Sequence, residues 1–462
     1  MSEITAVRAA VDAARNPLTE RYLNAPVGRR GLWPAATDPG RLHLVEQGLE
    51  DRFLTRPVFL EAAEAEGLAA DLSGIVDLLF ALPDRLFDGD RAAFGRAVGL
   101  RPEQIRLALR PPVPHPGRIG RADLYHDGDG FRLLEFNLSS ALGGTQTPEL
   151  NRLLLDDPAF AAFAEAERLE FPDTVELLAQ AVKAAAREAG RPDGHVRVAL
   201  MDWSAGFDKT RADLSTFAEL LSRHGVEAFA CHTGQVEESG GRVLVEGRPV
   251  DVVYRFFTLG ELTADAASTA VAERLLDTFA RCGVALVSPL CTSMHGNKRA
   301  LAMLWDERFL ASCASAERAL VERLVPWTHE VRPGRIRVRG EGADFLAYCA
   351  RHRERLVLKP AHGLGGTGTV LGRAVTPGQW SDLLLGAAPG RYVVQELVSP
   401  RAEHFPARAP GDPTRWVLNW GAFLIGRRYA GGFIRGLPEH GADVISYDNK
   451  AHATGVFQST RH

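Results

Sequence analysis

Lysine is scarce in this chain of 462 residues: of 54 basic residues only Lys183, Lys209, Lys298, Lys359 and Lys450 are lysine. Arginine does the routine surface work, so each lysine is a stronger candidate for a specific task. An excess of either charge is also lacking. The net charge of −4 gives no basic footprint for nucleic acid. The five cysteines are odd in number and never spaced CxxC, which argues against a disulfide framework or a zinc site and points to buried free thiols. Long apolar runs are missing. The most apolar window, "GLAADLSGIVDLLFALPDRLF", carries Asp71, Asp77 and Asp84 and cannot span a bilayer. The opening "MSEITAVRAAVDAARN" has an amphipathic helical pattern without a signal-peptide core. The expectation is a cytoplasmic protein with no nucleic-acid or membrane partner. No internal repeat or low-complexity tail occurs.

The length suits two to four domains' worth of core. Residues 1–110 read mostly as helix. The Pro-rich "RPPVPHPGRIG" (110–120) reads as a connector, and "RADLYHDGDGFRLLEFNLSS" as strand, Gly/Asp turn and strand. Helices are expected over 148–190. From about 194 strands and helices alternate, "HVRVALMDW", "RADLSTFAELLSRHG", "VEAFAC", "VDVVYRFF", "TAVAERLLDTFARCG", "VALVSP", as in a parallel sheet covered on both faces. A helix begins near 296. The last third reads as strand, Gly-rich loop, strand, then a long hairpin about Gly426–Arg427. The expected units are a helical region 1–110, a segment 111–193, an α/β block 194–290 and a final unit 291–462.

The stretch "LLEFNLSSALGG" (133–144) places Glu135 and Asn137 on one side of an otherwise apolar strand. Pairing through the DGDG turn would bring Asp123 and Arg121 beside them. Two carboxylates and an amide oxygen are hard ligands suited to Mg²⁺, and Arg121 could meet an anion. In "LKPAHGLGGTGTVLG", Lys359 leaves an apolar strand and precedes Gly363, Gly365, Gly366 and Gly368. No GK[ST] follows, so this is not a P-loop, and no helix follows, so it is not a dinucleotide fingerprint. A flap covering nucleotide phosphates fits; a plain hairpin with a Gly turn is the rival reading, and Lys359 counts against it. Lys298 stands at a helix start, where a cation is unfavourable unless solvated or held by an anion. "YVVQELVSP" could offer a strand end with Gln395, Glu396 and Leu397, and "GGFIRG" puts Arg435 on a strand.

Taken in order over about 120–457, these segments resemble the circularly permuted ATP-grasp ligases: eukaryotic-type glutathione synthetase and the synthetase domain of glutathionylspermidine synthetase. "RADLYHDGDGFRLLEFN" resembles the Arg-x-Asp…Glu-x-Asn of the latter. "EFNLSSALGG", "VVYRFF" and "GNKRALAML" resemble segments of glutathione synthetase. "VLKPAHGLGGTGTVLG" resembles its lysine strand and flap, "YVVQELVSP" its adenine strand, and "GAFLIG…GGFIRG" its closing strands. The resemblance implies a mixed α/β (α+β) ATP-grasp fold, with antiparallel sheets clamping nucleotide and an embedded parallel subdomain. It implies that Lys298 and Lys359 hold ATP phosphates, that Gly365, Gly366 and Gly368 cover them, and that Gln395, Glu396 and Leu397 border adenine. Asn419 would stand near the ribose, where glutathione synthetase carries Glu. Asp123, Glu135 and Asn137 would bind two Mg²⁺. Arg121, helped by Arg435, would face the reacting carboxylate. From their places in the chain, Ser139 and Ser140 form a turn close enough to touch substrate, and Arg255 lies in the block that should face it, with a surface or sheet-end residue as its rival reading. A third metal-binding Glu of glutathione synthetase corresponds to Gly363 here, residues 1–110 match nothing in the family, and no amidase domain is present. Glutathione and spermidine are therefore not predicted as substrates.

The function expected is an ATP-dependent carboxylate–amine ligase, a monomer or homodimer, acting on small molecules through an acyl phosphate. An ATP-dependent small-molecule kinase and an inactive nucleotide-binding protein are the alternatives.

Overall fold

A computed structural model describes residues 16–34, 45, 52–110, 117–191, 196–338, 341–363, 366–387, 390–412, 414–440, 444–446 and 449–461. The helix expected at 1–16 and most of the Pro-rich connector lie outside the described residues.

The fold is mixed α/β, as expected. Its largest sheet is antiparallel and runs His452–Thr454, Arg428–Pro438, Arg415–Ile425, Ile119–His126, Phe131–Asn137, with Ala402–His404 against Arg415–Ile425. Period-2 alternation divides its strands between core and cavity. In Ile119–His126, Ala122 and Leu124 enter the core, while Arg121, Asp123 and Tyr125 face the other way. In Arg415–Ile425, Trp416, Leu418 and Trp420 enter the same core, while Val417 and Asn419 face the cavity.

A bulge explains the odd order of "LLEFN". Asp123 pairs with Glu135 and Leu124 with Leu133, so Leu134 is an extra residue. It reverses the strand's parity. Leu133 points into the core, and Glu135 and Asn137 two and four residues later point into the cavity.

The core face of this sheet is covered by the helix Ala62–Phe87, whose Leu68, Leu72, Ile75, Val76, Leu79 and Leu82 follow helical spacing and are buried. Pro83 lies inside it and has no N–H for the Leu79 carbonyl. His295 Nδ1 fills that place at 2.9 Å from Leu79 O. Burial lowers the His295 pKa to about 4, so the ring is neutral at pH 7 and its Nδ1–H donates.

A second antiparallel sheet runs Thr328–Glu330, Tyr392–Glu396, Leu356–Pro360, Val370–Leu371. The parallel sheet runs Ala285–Val287, Val252–Arg255, Arg197–Asp202, Glu227–His232, flanked by the helices Thr174–Glu188, Phe207–Ser222 and Ala266–Arg281. The helical reading of 1–110 misses a strand: Val58–Leu60 pairs in parallel with Val456–Ser459, which also pairs with Leu169–Glu170. The helix expected near 296 is two short ones, Lys298–Met303 and Glu307–Ser312. Among the described residues, no helix is long and apolar enough to cross a membrane.

Candidate functional site

The two antiparallel sheets face each other across a cavity of about 580 Å³, within the range of small-molecule sites. Arg121, Asp123, Glu135 and Asn137 come from the bulged hairpin, and Asn419 and Arg435 from the long hairpin beside it. Lys359, Gln395, Glu396 and Leu397 come from the second sheet, Lys298 from a helix start, and Gly366 from the glycine loop.

Asp123 sits between two arginines. Arg121 Nε donates to one carboxylate oxygen at 2.9 Å and Arg435 reaches the other at 3.1 Å. Burial by itself would raise this acid's pKa. Arg121 and then Arg435 outweigh burial and hold it at about 2. Arg121 also donates to Gly143 O at 2.9 Å, and Arg435 to Asn419 Oδ1 at 3.1 Å. Among the described residues, the buried Arg435 Nε–H has no partner. Room for Arg121 depends on Gly421: a Cβ there would stand 2.9 Å from Arg121 Cδ and 2.7 Å from the Phe433 carbonyl oxygen.

Lys298 is the first residue of its helix, capped by Asn297. Its ammonium is held by an anion, Glu135 Oε2 at 2.7 Å. The Asn137 amide lies 3.4 Å from Glu135 Oε1. Lys359 donates to Gln395 Oε1 at 2.6 Å. Burial pulls the Lys359 pKa down to about 8, with Glu135 and Asp123 opposing and Lys298 assisting. In the glycine loop, Gly366 has φ +78° and a Cβ there would meet Val444 at 2.6 Å. The loop therefore closes against the segment 444–446, which also borders the cavity.

Several expected residues are placed otherwise. Arg255 is 2% exposed and does not line the cavity. Its guanidinium serves Ser288 O at 2.6 Å and Phe257 O at 2.9 Å. Ser140 is fully buried and donates to Arg255 O at 2.7 Å. These two residues dock the parallel sheet onto the turn after Asn137 rather than lining the cavity. Ser139 caps its own turn by accepting from Ala141 N at 3.1 Å. Gly368 lies in the loop but away from the cavity lining, and Gly365 lies outside the described residues. The Glu396 and Leu397 N–H groups are spent on Trp327 O and Arg355 O, both at 2.8 Å, so neither is left to donate to a purine edge.

Cavity residues missed in the sequence include Tyr125 and Glu439. Tyr125 carried a usable signal, since it continues the alternation of Arg121 and Asp123. Glu439 did not, because its carboxylate is paired with Arg415 at 2.5 Å across a hairpin end.

As a cation site the donors are unequal. Glu135 and Asn137 offer carboxylate and amide oxygens from one strand face, which suits a hard divalent cation. Asp123, with both oxygens taken by guanidinium groups, does not fit as a ligand unless an arginine moves; here it aligns the two arginines. Among the described residues no group of three His, Cys, Asp or Glu is arranged to hold a metal.

No protein-family model matches the chain. No curated protein sequence matches it either. Among solved structures, a glutathione synthetase-like effector from Globodera pallida in apo form is similar over 88% of this chain and 90% of its own, at 12% identity and a TM-score of 0.54. A protein provisionally assigned as gamma-glutamylcysteine synthetase, from Methylobacillus flagellatus KT, aligns over 87% of this chain and 89% of its own, at 13% identity and a TM-score of 0.44, too low to carry an argument. At this identity the first likeness speaks to fold alone: the chain shares the mixed α/β architecture of a glutathione synthetase-like protein.

Proposed function

We propose that the chain is an ATP-dependent carboxylate–amine ligase that activates its carboxylate as an acyl phosphate, on the permuted branch of the ATP-grasp ligases. The observation that carries this reading is the convergence of Lys298, Lys359, Arg121 and Arg435 with Glu135 and Asn137 on one cavity beside a glycine loop. Five cationic side chains, Arg373 being the fifth, line the cavity against the four carboxylates of Asp123, Glu135, Glu396 and Glu439, a net positive lining that a triphosphate and a substrate carboxylate would complement.

Each residue then has a task. Lys359 and Lys298 hold phosphate oxygens as point charges. The loop at Gly366 shields them from water. Arg435, with its unpartnered Nε–H, and Arg121 grip and orient the substrate carboxylate, and the Asp123 bridge keeps the two guanidinium groups in register. Glu135 and Asn137 would hold Mg²⁺, which supplies neutralisation of phosphoryl charge. The amine then attacks the activated carboxyl carbon and phosphate departs. Positioning and electrostatics do most of this work, as in phosphoryl transfer generally.

The test is ATP turnover by purified protein with Mg²⁺ across panels of carboxylates and amines. The expected result is ADP, phosphate and an amide only when both substrates are present. AMP instead of ADP rules out the acyl phosphate. A stable phosphorylated product formed without amine indicates a kinase, and no turnover with any pair a binding protein.

A further inference from the structure

Thr328, Gln395 and Val357 form one cross-strand row: Gln395 pairs with Thr328 on one side and Val357 on the other. Lys359 lies two residues beyond Val357, so its side chain leaves the same face. The hydrogen bonds along this row have forced directions. The Pro326 carbonyl can only accept, and it takes the Thr328 hydroxyl proton at 2.8 Å. A hydroxyl has a single proton, so Thr328 Oγ1 has only lone pairs left for Gln395. Gln395 must therefore present its NH₂, at 3.0 Å. The same NH₂ points to the Leu134 carbonyl at 3.4 Å, another pure acceptor. The carboxamide oxygen is left aimed at Lys359 Nζ, 2.6 Å away. Gln395 is 1% exposed, so water does not compete for this arrangement.

Among the described residues, Gln395 is the hydrogen-bond partner that Lys359 has. The charges facing Lys359 are Glu135 and Asp123 from the hairpin and Lys298 from its helix. They set its charge balance, but none of them fixes its direction.

We propose that Gln395 is a positioning residue which, oriented by Thr328, fixes the Lys359 ammonium at the cavity wall and makes no contact with a nucleotide base. Its consequence for nucleotide rests on the ATP reading above; its hold on Lys359 does not. The design separates two jobs that the strand Tyr392–Glu396 would otherwise share. Its Gln395 side chain serves the phosphate end, and base selectivity falls to other groups.

The experiment compares native protein with Gln395→Leu, Gln395→Glu and Thr328→Val, the last nearly isosteric so that folding survives. Lys359 acylation in ligand-free protein is followed by peptide mass spectrometry at pH 7.5. Loss of the carboxamide acceptor in Gln395→Leu is expected to speed acylation about threefold, the gain in neutral amine at pH 7.5 when the ammonium's ionisation falls by about one pH unit from about 8. Thr328→Val moves in the same direction, and Gln395→Glu, which keeps an oxygen there and adds charge, in the opposite one. In parallel, affinities are measured for non-hydrolysable ATP and GTP analogues and for inorganic tripolyphosphate. Gln395→Leu is expected to weaken all three by one common factor, leaving the ATP/GTP ratio unchanged. A changed ratio, or Lys359 acylation unmoved in all three variants, overturns the proposal. If native protein binds none of the three ligands while acylation still follows Gln395, the ATP reading fails and the positioning role stands.

Discussion

Replacing Asp123 by Asn removes the charge that bridges Arg121 and Arg435 while nearly keeping its shape. Two effects oppose each other at this buried carboxylate. Burial disfavours the charged form, and the two guanidinium groups favour it. The outcome, a carboxyl lowered from 3.8 to about 2, says that the arginines win. At 1.36 kcal/mol per pH unit that difference is on the order of 2 kcal/mol of stability at pH 7. Asp123 is 5% exposed, so solvent screening takes little from it. The variant also leaves two buried cations facing each other, and breaking a buried pair costs about 3–5 kcal/mol. A loss of about 3 kcal/mol is therefore expected in urea unfolding at pH 7. The folded pKa is depressed, so this stabilisation is present above the unfolded value and fades as pH falls toward 2. At pH 3 about half of the linkage contribution should remain. The gap between native and Asp123→Asn should accordingly narrow by about 1 kcal/mol between pH 7 and pH 3. An Asp123→Asn protein as stable as native at pH 7, or a gap of equal size at both pH values, would refute the charge-bridge account.

Lys359 titrates with the opposite consequence. Its folded pKa is lowered to about 8 from 10.5, so the charged form costs stability below pH 8 and the cost is relieved as pH rises toward 10.5. Stability should gain up to about 3 kcal/mol over that window, and Lys359→Met should abolish the gain in urea titrations. Because Lys298 occupies Glu135 Oε2, Mn²⁺ used as a Mg²⁺ probe should bind the ligand-free protein weakly. Lys298→Met should tighten Mn²⁺ binding about tenfold or more by electron spin resonance; no change would show that Glu135 is not the cation's ligand. Gly421→Ala, which meets both Arg121 and the Phe433 backbone, should cost about 1–3 kcal/mol in thermal unfolding.

Local pattern carried much of the fold. The hairpin 119–137 was legible because its DGDG turn and apolar runs are contiguous, and the parallel strands because each is a short apolar run followed by a helical repeat. The strand Val58–Leu60 was not, since three apolar residues beside a helix carry no periodicity of their own and are extended only by their distant partner Val456–Ser459. The same limit applies to side chains. The alternation of Glu135 and Asn137 was readable, but the bulge that turns them from core to cavity requires the partner register. Ser140 and Arg255 read as polar and available because a sequence does not show which carbonyls will need donors. Both are consumed by the joint between sheets. Gln395 was placed near a base by its position at a strand end, whereas its partners sit 36 and 67 residues away in sequence.

The central sheet also sets an order of events in biosynthesis. The strand Ile119–His126 pairs with Arg415–Ile425, nearly 300 residues later. The strand Val58–Leu60 waits for Val456–Ser459. A ribosome adding about 5–20 residues per second therefore leaves the hairpin bearing Asp123 and Glu135 without its neighbour for many seconds. During that interval the edge of Ile119–His126 is open to pairing with other chains. The parallel sheet, whose four strands all fall within 197–287, has no such wait and can fold on the ribosome. Nascent chains stalled after residue 300 should thus show a protease-resistant core at 197–287 and an exposed hairpin at 119–137. Yield in the cell would then depend less on final stability than on what guards that edge until residue 425 emerges.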